Sequence, residues 1–163
     1  MEIERKFTIR SLPEDLSSYP HSHIEQAYLC TSPVVRVRQD GDSYYLTYKG
    51  SGMMARHESN LPLTEDSYYH LRAKADGNII AKTRYRIPLP NPIFRDNYIP
   101  SNTDRTLTIE LDVFDPPFAP LIMAEVEFVS KEAAEAFLPP DWFDKDVTFC
   151  PEYHNSYMAS MNK

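Results

Sequence analysis

EIERK, residues 2–6, puts charge at every second position: Glu2, Glu4 and Lys6, with Ile3 and Arg5 between them. Successive side chains of an extended strand point to opposite faces, so the three groups share one face. The arrangement returns along the chain. VVRVR sets Arg36 and Arg38 against Val35 and Val37, and YYLTYK sets Thr47 and Lys49 against Leu46 and Tyr48. ARHESN adds Arg56 and Glu58. AKTRYRI adds Lys82, Arg84 and Arg86, alternating with Ala81, Thr83, Tyr85 and Ile87. LTIELDVF sets Glu110 and Asp112 against Ile109, Leu111 and Val113, and MAEVEFV sets Glu125 and Glu127 against Ala124, Val126 and Phe128.

An open antiparallel sheet with one wet face also alternates. Here the polar face is nearly all Arg, Lys, Glu and Asp, and the signs segregate. The middle strands are basic, the first and the last two acidic. The pattern predicts a mainly β (α+β) chain. In it a closed antiparallel barrel turns its charged face inward and its apolar face outward under a few flanking helices, and closure removes sheet edges. So much buried charge has to be paired or neutralised by a ligand. A polyanion carrying a divalent cation satisfies both signs. Arg and Lys hold phosphate oxygens, and carboxylates hold a hard cation, Mg²⁺ or Mn²⁺.

Period-two segments predict strands at 1–9, 25–30, 34–39, 43–49, 55–62, 79–89, 106–114 and 121–129. Helices are predicted over 64–75, opened by Thr64 with acidic residues behind it, and over 130–138, opened by Ser130. The 14 prolines cluster between these segments. Residues 90–105 form a long irregular connection, exposed or functional.

The length of 163 residues suits one domain over 1–163, and 42% hydrophobic with 25% charged residues is ordinary for a globular protein. A formal net charge of −7 argues against non-specific nucleic-acid binding, so no stable nucleic-acid partner is expected. No apolar run reaches membrane-spanning length, and the N-terminus has no apolar leader segment. Cys30 and Cys150 make neither a disulfide framework nor a CxxC pair. A cytoplasmic location is expected, as a monomer or a homodimer.

Taken in order, the ExExK of Glu2 to Lys6, the RxR of VRVR, the TxK of LTYKG, the RxE of RHE, the KxRY of KTRY and the paired acids of IELDVF and MAEVEF identify a likeness. Over nearly its whole length the chain resembles the CYTH superfamily, the triphosphate tunnel metalloenzymes. The ending DVTFCPEYHNSYMA is similar to the family's C-terminal segment. The resemblance implies an eight-stranded antiparallel tunnel and metal-dependent hydrolysis of a phosphoanhydride bond. It implies metal binding by Glu2, Glu4, Asp112, Glu125 and Glu127, with Glu2, Glu4 and Lys6 catalytic. It implies phosphate binding by Lys6, Arg36, Arg38, Lys49, Arg56, Lys82 and Arg84.

Family members of this size are often bacterial-type inorganic triphosphatases that cleave tripolyphosphate. Thiamine triphosphatases, class IV adenylate cyclases and RNA triphosphatases are other branches. A barrel that captures a polyphosphate or nucleotide without cleaving it is the alternative class. Carboxylates facing a polyanion repel it unless a metal intervenes, which favours the enzyme.

Asn60 stands where the family often has a further acid, and the late lysines Lys145 and Lys163 sit in no motif. Glu58 and Glu110 are expected to pair with the basic groups, and Arg86 to pair near the rim. His21 and His23 read as a polar loop, His57 as packing and His154 as structural.

Overall fold

The structure, a computed structural model, describes residues 1–161. Lys163 lies outside the described residues. Strands run at Glu2–Ile9 (β1), His21–Thr31 (β2), Val34–Asp40 (β3), Ser43–Lys49 (β4), Ala55–Arg56 (β5), Glu58–Pro62 (β6), Ile80–Pro90 (β7), Ile93–Phe94 (β8), Thr106–Phe114 (β9), Ile122–Glu127 (β10), Phe137–Leu138 (β11) and Phe143–Asp146 (β12). Helices run at Glu65–Arg72 (α1), Lys131–Ala136 (α2) and Asn155–Ser160 (α3).

One ten-stranded sheet has the order β12-β1-β10-β9-β7-β2-β3-β4-β6, with β5 paired to β1. Its strands pair antiparallel. The expected eight-stranded closed ladder is therefore replaced by an open path. The expected strand over 55–62 is divided at His57. Before it, Arg56 pairs with Glu2 and Ala55 with Ile3. Beyond it, Glu58 to Pro62 pair with Lys49 to Tyr45. One short segment thus touches both the first strand and the fourth.

The register brings the charged positions together. Lys6 pairs with Glu125 and Glu4 with Glu127. Glu125 pairs with Glu110. Arg84 pairs with Asp112 and Arg86 with Glu110. The alternate residues build the core on the other face. Phe7, Ile109, Leu111, Val126 and Phe137 pack with Ala133 and Ala134 of α2, while Val37 and Ala27 pack against Tyr68 of α1. Ile80, Phe114 and Met123 pack against Met158 and Ala159 of α3.

The helix starts follow their caps. Thr64 Oγ1 accepts from the Ser67 amide and Ser67 Oγ accepts from the Thr64 amide, so both free donors are satisfied. Ser130 Oγ accepts from the Ala133 amide in the same way. The connection 90–105 contains β8 and a 3₁₀ turn at Asn102–Arg105. His21 and His23, expected in a loop, begin β2, where His23 meets Asp115 at 2.7 Å. Among the described residues no helix is long and apolar enough to cross a membrane.

Candidate active site

The charged faces of β1, β3, β4, β6, β7, β9 and β10 line one cavity of about 210 Å³. Glu2, Glu4, Lys6, Arg36, Arg38, Lys49, Arg56, Lys82, Arg84, Glu125 and Glu127 all reach it. That is every sequence-predicted site residue except Asp112. Asp112 is fully buried and lies behind the wall. It accepts from Arg84 Nε at 2.7 Å and Nη2 at 2.9 Å, and meets Lys82 Nζ at 2.7 Å. This carboxylate is spent on holding two of the cavity's cations.

Glu58, Glu110, Glu127, Asp40 and Arg86 of the lining keep contact with solvent. Arg86 pairs with Asp40 at 3.3 Å, as expected for a rim residue. The helix α3 supplies Asn155 and Ser156. Asn155 Oδ1 accepts from Lys82 Nζ at 2.9 Å and from Gln26 Nε2 at 3.2 Å. Sequence reasoning missed α3, Asn155 and Gln26, because six residues of helix and two neutral amides carry no period and no charge.

The cations fall into two groups. Lys6 meets Glu125 at 2.8 Å, Lys49 meets Glu2 at 2.9 Å and Glu58 at 3.4 Å, and Arg84 meets Glu110 at 3.0 Å besides Asp112. Arg36, Arg38 and Arg56 have no carboxylate partner among the described residues. Arg38 donates from Nε (2.9 Å) and Nη2 (2.6 Å) to the neutral Gln26 Oε1. The Arg36 Nε is buried with no hydrogen-bond partner among the described residues. A buried guanidinium without a counter-charge is costly unless an anion arrives.

The acids show the complementary excess. Burial and then Glu125 push the Glu4 carboxyl up, against Lys6. Burial, then the hydrogen bond with Glu58 and the nearby Glu4, push Glu2 up to about 8. Glu58 moves the other way, to about 2, because its hydrogen bond with Glu2 and the charge of Lys49 outweigh its burial. Glu127, the one cavity carboxylate without a cation partner among the described residues, is pushed up by burial and by Glu110, Glu4 and Glu58. Burial draws Lys82 down to about 7 despite Asp112. Burial also opposes ionisation of Glu125, yet Lys6, Arg84 and Lys82 hold it well below the usual range.

These carboxylates are an oxygen-only donor set, the chemistry that suits a hard divalent cation. Among the described residues no three acids, histidines or cysteines stand close enough to cage an ion alone. Mg²⁺ does not require such a cage, since it is commonly held by one or two carboxylates together with substrate phosphates and water. The residues therefore fit a cation that arrives with a phosphate ligand. His154 is buried and donates from Nε2 to the Thr148 carbonyl at 2.8 Å, a structural bond. His57 is exposed against Tyr48 and Ser59, outside the cavity.

No family model matches the chain. An inorganic triphosphatase of Nitrosomonas europaea is 36% identical over 162 residues, covering 97% of this chain and 96% of that protein. An inorganic triphosphatase of Acetivibrio thermocellus is 28% identical, covering 97% and 92%. The crystal structure of an inorganic triphosphatase superposes with a TM-score of 0.67 at 32% identity, covering 98% of this chain and 94% of that one.

Proposed function

The chain belongs to the CYTH superfamily of triphosphate tunnel metalloenzymes, and on that premise we propose that it is a divalent-metal-dependent hydrolase of inorganic triphosphate. The observation that carries the proposal is the double excess in one cavity. Arg36 and Arg38 are buried with no carboxylate at ion-pair distance among the described residues, and burial with the charges of Arg36 and Arg84 holds Arg38 below the usual guanidinium range. Glu4 is crowded by Glu125, and Glu127 by Glu110, Glu4 and Glu58. A triphosphate alone would relieve the arginines and repel the acids. A triphosphate with its metal relieves both.

In this reading residues 55–62, pairing with β1 at one end and β4 at the other, form the seam that wraps the sheet into a tunnel. The whole chain, 1–163, acts as one domain, in the cytoplasm. Lys6, Arg36, Arg38, Lys49, Arg56, Lys82 and Arg84 hold phosphate oxygens. Glu2, Glu4, Glu125 and Glu127 are the carboxylates that would hold Mg²⁺ or Mn²⁺. Asp112 acts through Arg84 and Lys82, fixing their heads rather than touching the metal. Bound there, the cation would neutralise charge on the phosphate oxygens and the leaving group.

Phosphoryl transfer asks little covalent help of the protein; positioning and charge neutralisation carry it. The attacking water forms a new P–O bond to the terminal phosphorus as the bridging P–O bond breaks. The bridging oxygen leaves with the electron pair on pyrophosphate, and the water's proton passes to solvent at the rim. Glu127, exposed to solvent and without a cation partner among the described residues, accepts a hydrogen bond from that water. Lys6 and Arg84 stabilise the oxygens of the phosphoryl group in flight. Catalytic roles thus fall to Glu2, Glu4 and Lys6, with Glu127 orienting the water.

Phosphate release from tripolyphosphate is measured with Mg²⁺, with Mn²⁺ and with chelator, beside ATP, thiamine triphosphate and pyrophosphate. Fast cleavage of tripolyphosphate that chelator abolishes is expected. Turnover only of an organic triphosphate would keep the tunnel and change the substrate. Tight tripolyphosphate binding with no turnover of any substrate would overturn the enzyme reading.

A further inference from the structure

A second cavity of about 250 Å³, the back cavity, lies against α3. Arg56 and Ser156 line both spaces, so these two side chains stand in the common wall. The Arg56 guanidinium makes no hydrogen bond or ion pair among the described residues. The rest of the lining is unlike the tunnel. It offers the hydroxyls of Thr31 and Tyr157 and the buried His154, and no carboxylate among the described residues. His154 Nε2 donates to the Thr148 carbonyl, so its hydrogen is placed and Nδ1 keeps a lone pair that can accept.

From this we infer that the second cavity is a site for orthophosphate, the smaller product, on its way out of the tunnel, an inference that rests on the triphosphatase reading above. Glu58, Glu110 and Glu127, the acids of the tunnel lining that touch solvent, repel an anion stripped of its metal. Through the wall at Arg56 it passes from the tunnel cations to hydroxyl donors. Hydrogen phosphate keeps one P–OH, which suits the Nδ1 acceptor of His154. Sulfate has a similar shape and charge but no hydroxyl.

The test places a negative charge on the lining of the back cavity outside the tunnel, with Ser160→Glu on α3 and Thr31→Glu on β2. Ser160→Gln controls for bulk. The tunnel of the full chain is filled with tripolyphosphate in chelator, and orthophosphate is titrated by calorimetry. Wild type and Ser160→Gln should bind orthophosphate, at least tenfold better than sulfate. Both Glu variants should weaken it at least tenfold. During turnover with Mg²⁺ the same two variants should relieve inhibition by added orthophosphate and leave the tripolyphosphate KM within twofold. Unchanged orthophosphate binding in the Glu variants, or sulfate binding equally well, overturns the site. Binding in the expected pattern by a chain that cleaves no triphosphate removes the activity and keeps the anion site.

Discussion

Asp112 holds the heads of Arg84 and Lys82 with both its oxygens and has no exposure of its own. Asp112→Asn leaves two buried cations under-compensated and should cost about 3–5 kcal/mol of stability in metal-free protein. Denaturant unfolding measures this, and a loss near zero would return Asp112 to the metal ligands. Glu4 makes the opposite case. Its carboxyl is pushed up by burial and by Glu125, so Glu4→Gln relieves repulsion in the cavity. It should fold as well as wild type yet lose about 10²–10³-fold in turnover, the scale set by removing one stabilising group from a reaction centre. Wild-type turnover in a folded Glu4→Gln protein would remove the residue from the chemistry.

Glu2 gives the pH dependence its sign. Its carboxyl lies at about 8 in the folded chain against its ordinary 4.5, for burial, Glu58 and Glu4 all favour the protonated form. A raised carboxyl contributes stability that is complete below the unfolded value and is lost as pH rises through the folded one. Glu2 therefore works to lower the melting temperature of metal-free protein from about pH 5 to about pH 8, while Lys82, drawn down to about 7, works the other way above that value, so the Glu2 contribution is read against Glu2→Gln. Glu2→Gln should lose less and melt higher than wild type at the alkaline end, by about 2–4 °C for each kcal/mol recovered. Parallel melting curves for the two proteins across that range would exclude the assignment.

At the scale of elements, the long strands were legible because each repeats its pattern several times. β1, β3, β4, β7 and β9 lie within two residues of their expected ends. β8, β11 and β12 were not, since two to four residues hold too few repeats to declare a period. The division at His57 also has no local signal. It depends on β1 and β4 offering their edges to neighbouring residues of one segment. The cavity's cations and acids were legible as charges on one face. Their sorting into paired and unpaired groups was not, because Gln26 and Asn155, which hold Arg38 and Lys82, are neutral.

The turn that leads into that segment sets another test. Gly52 has φ +118°, and a Cβ there would clash with the Ala55 carbonyl oxygen. Gly52→Ala must shift the backbone just before Arg56. It should lose more than about 1 kcal/mol in denaturant unfolding, with tripolyphosphate KM raised. A neutral effect on both would mean that the segment tolerates rearrangement.

For the whole molecule, a net charge of −7 surrounds a cavity whose middle strands are basic. Ligand binding should therefore recover the free energy that the empty site stores in unmatched charge. Tripolyphosphate with Mg²⁺ at about 100 times its dissociation constant should stabilise the chain by about 2.7 kcal/mol. Thermal melting reads the shift. Tripolyphosphate in chelator should give less, because the acids of β1 and β10 then oppose it. Equal shifts with and without metal would separate the acids from the cation.

The strand order has a consequence in time. Besides β5, β1 finds its neighbours in residues 122–127 and 143–146, so most of the chain intervenes between those partners. Contacts so distant form slowly, because the closure entropy of a long loop is lost before they are gained. As the chain is made, Lys6 emerges long before β10 brings Glu125 to meet it, whereas Lys49, Lys82 and Arg84 find Glu2, Glu58, Glu110 and Asp112 on earlier strands. The last acidic strand closes a charge balance that the earlier ones have only begun.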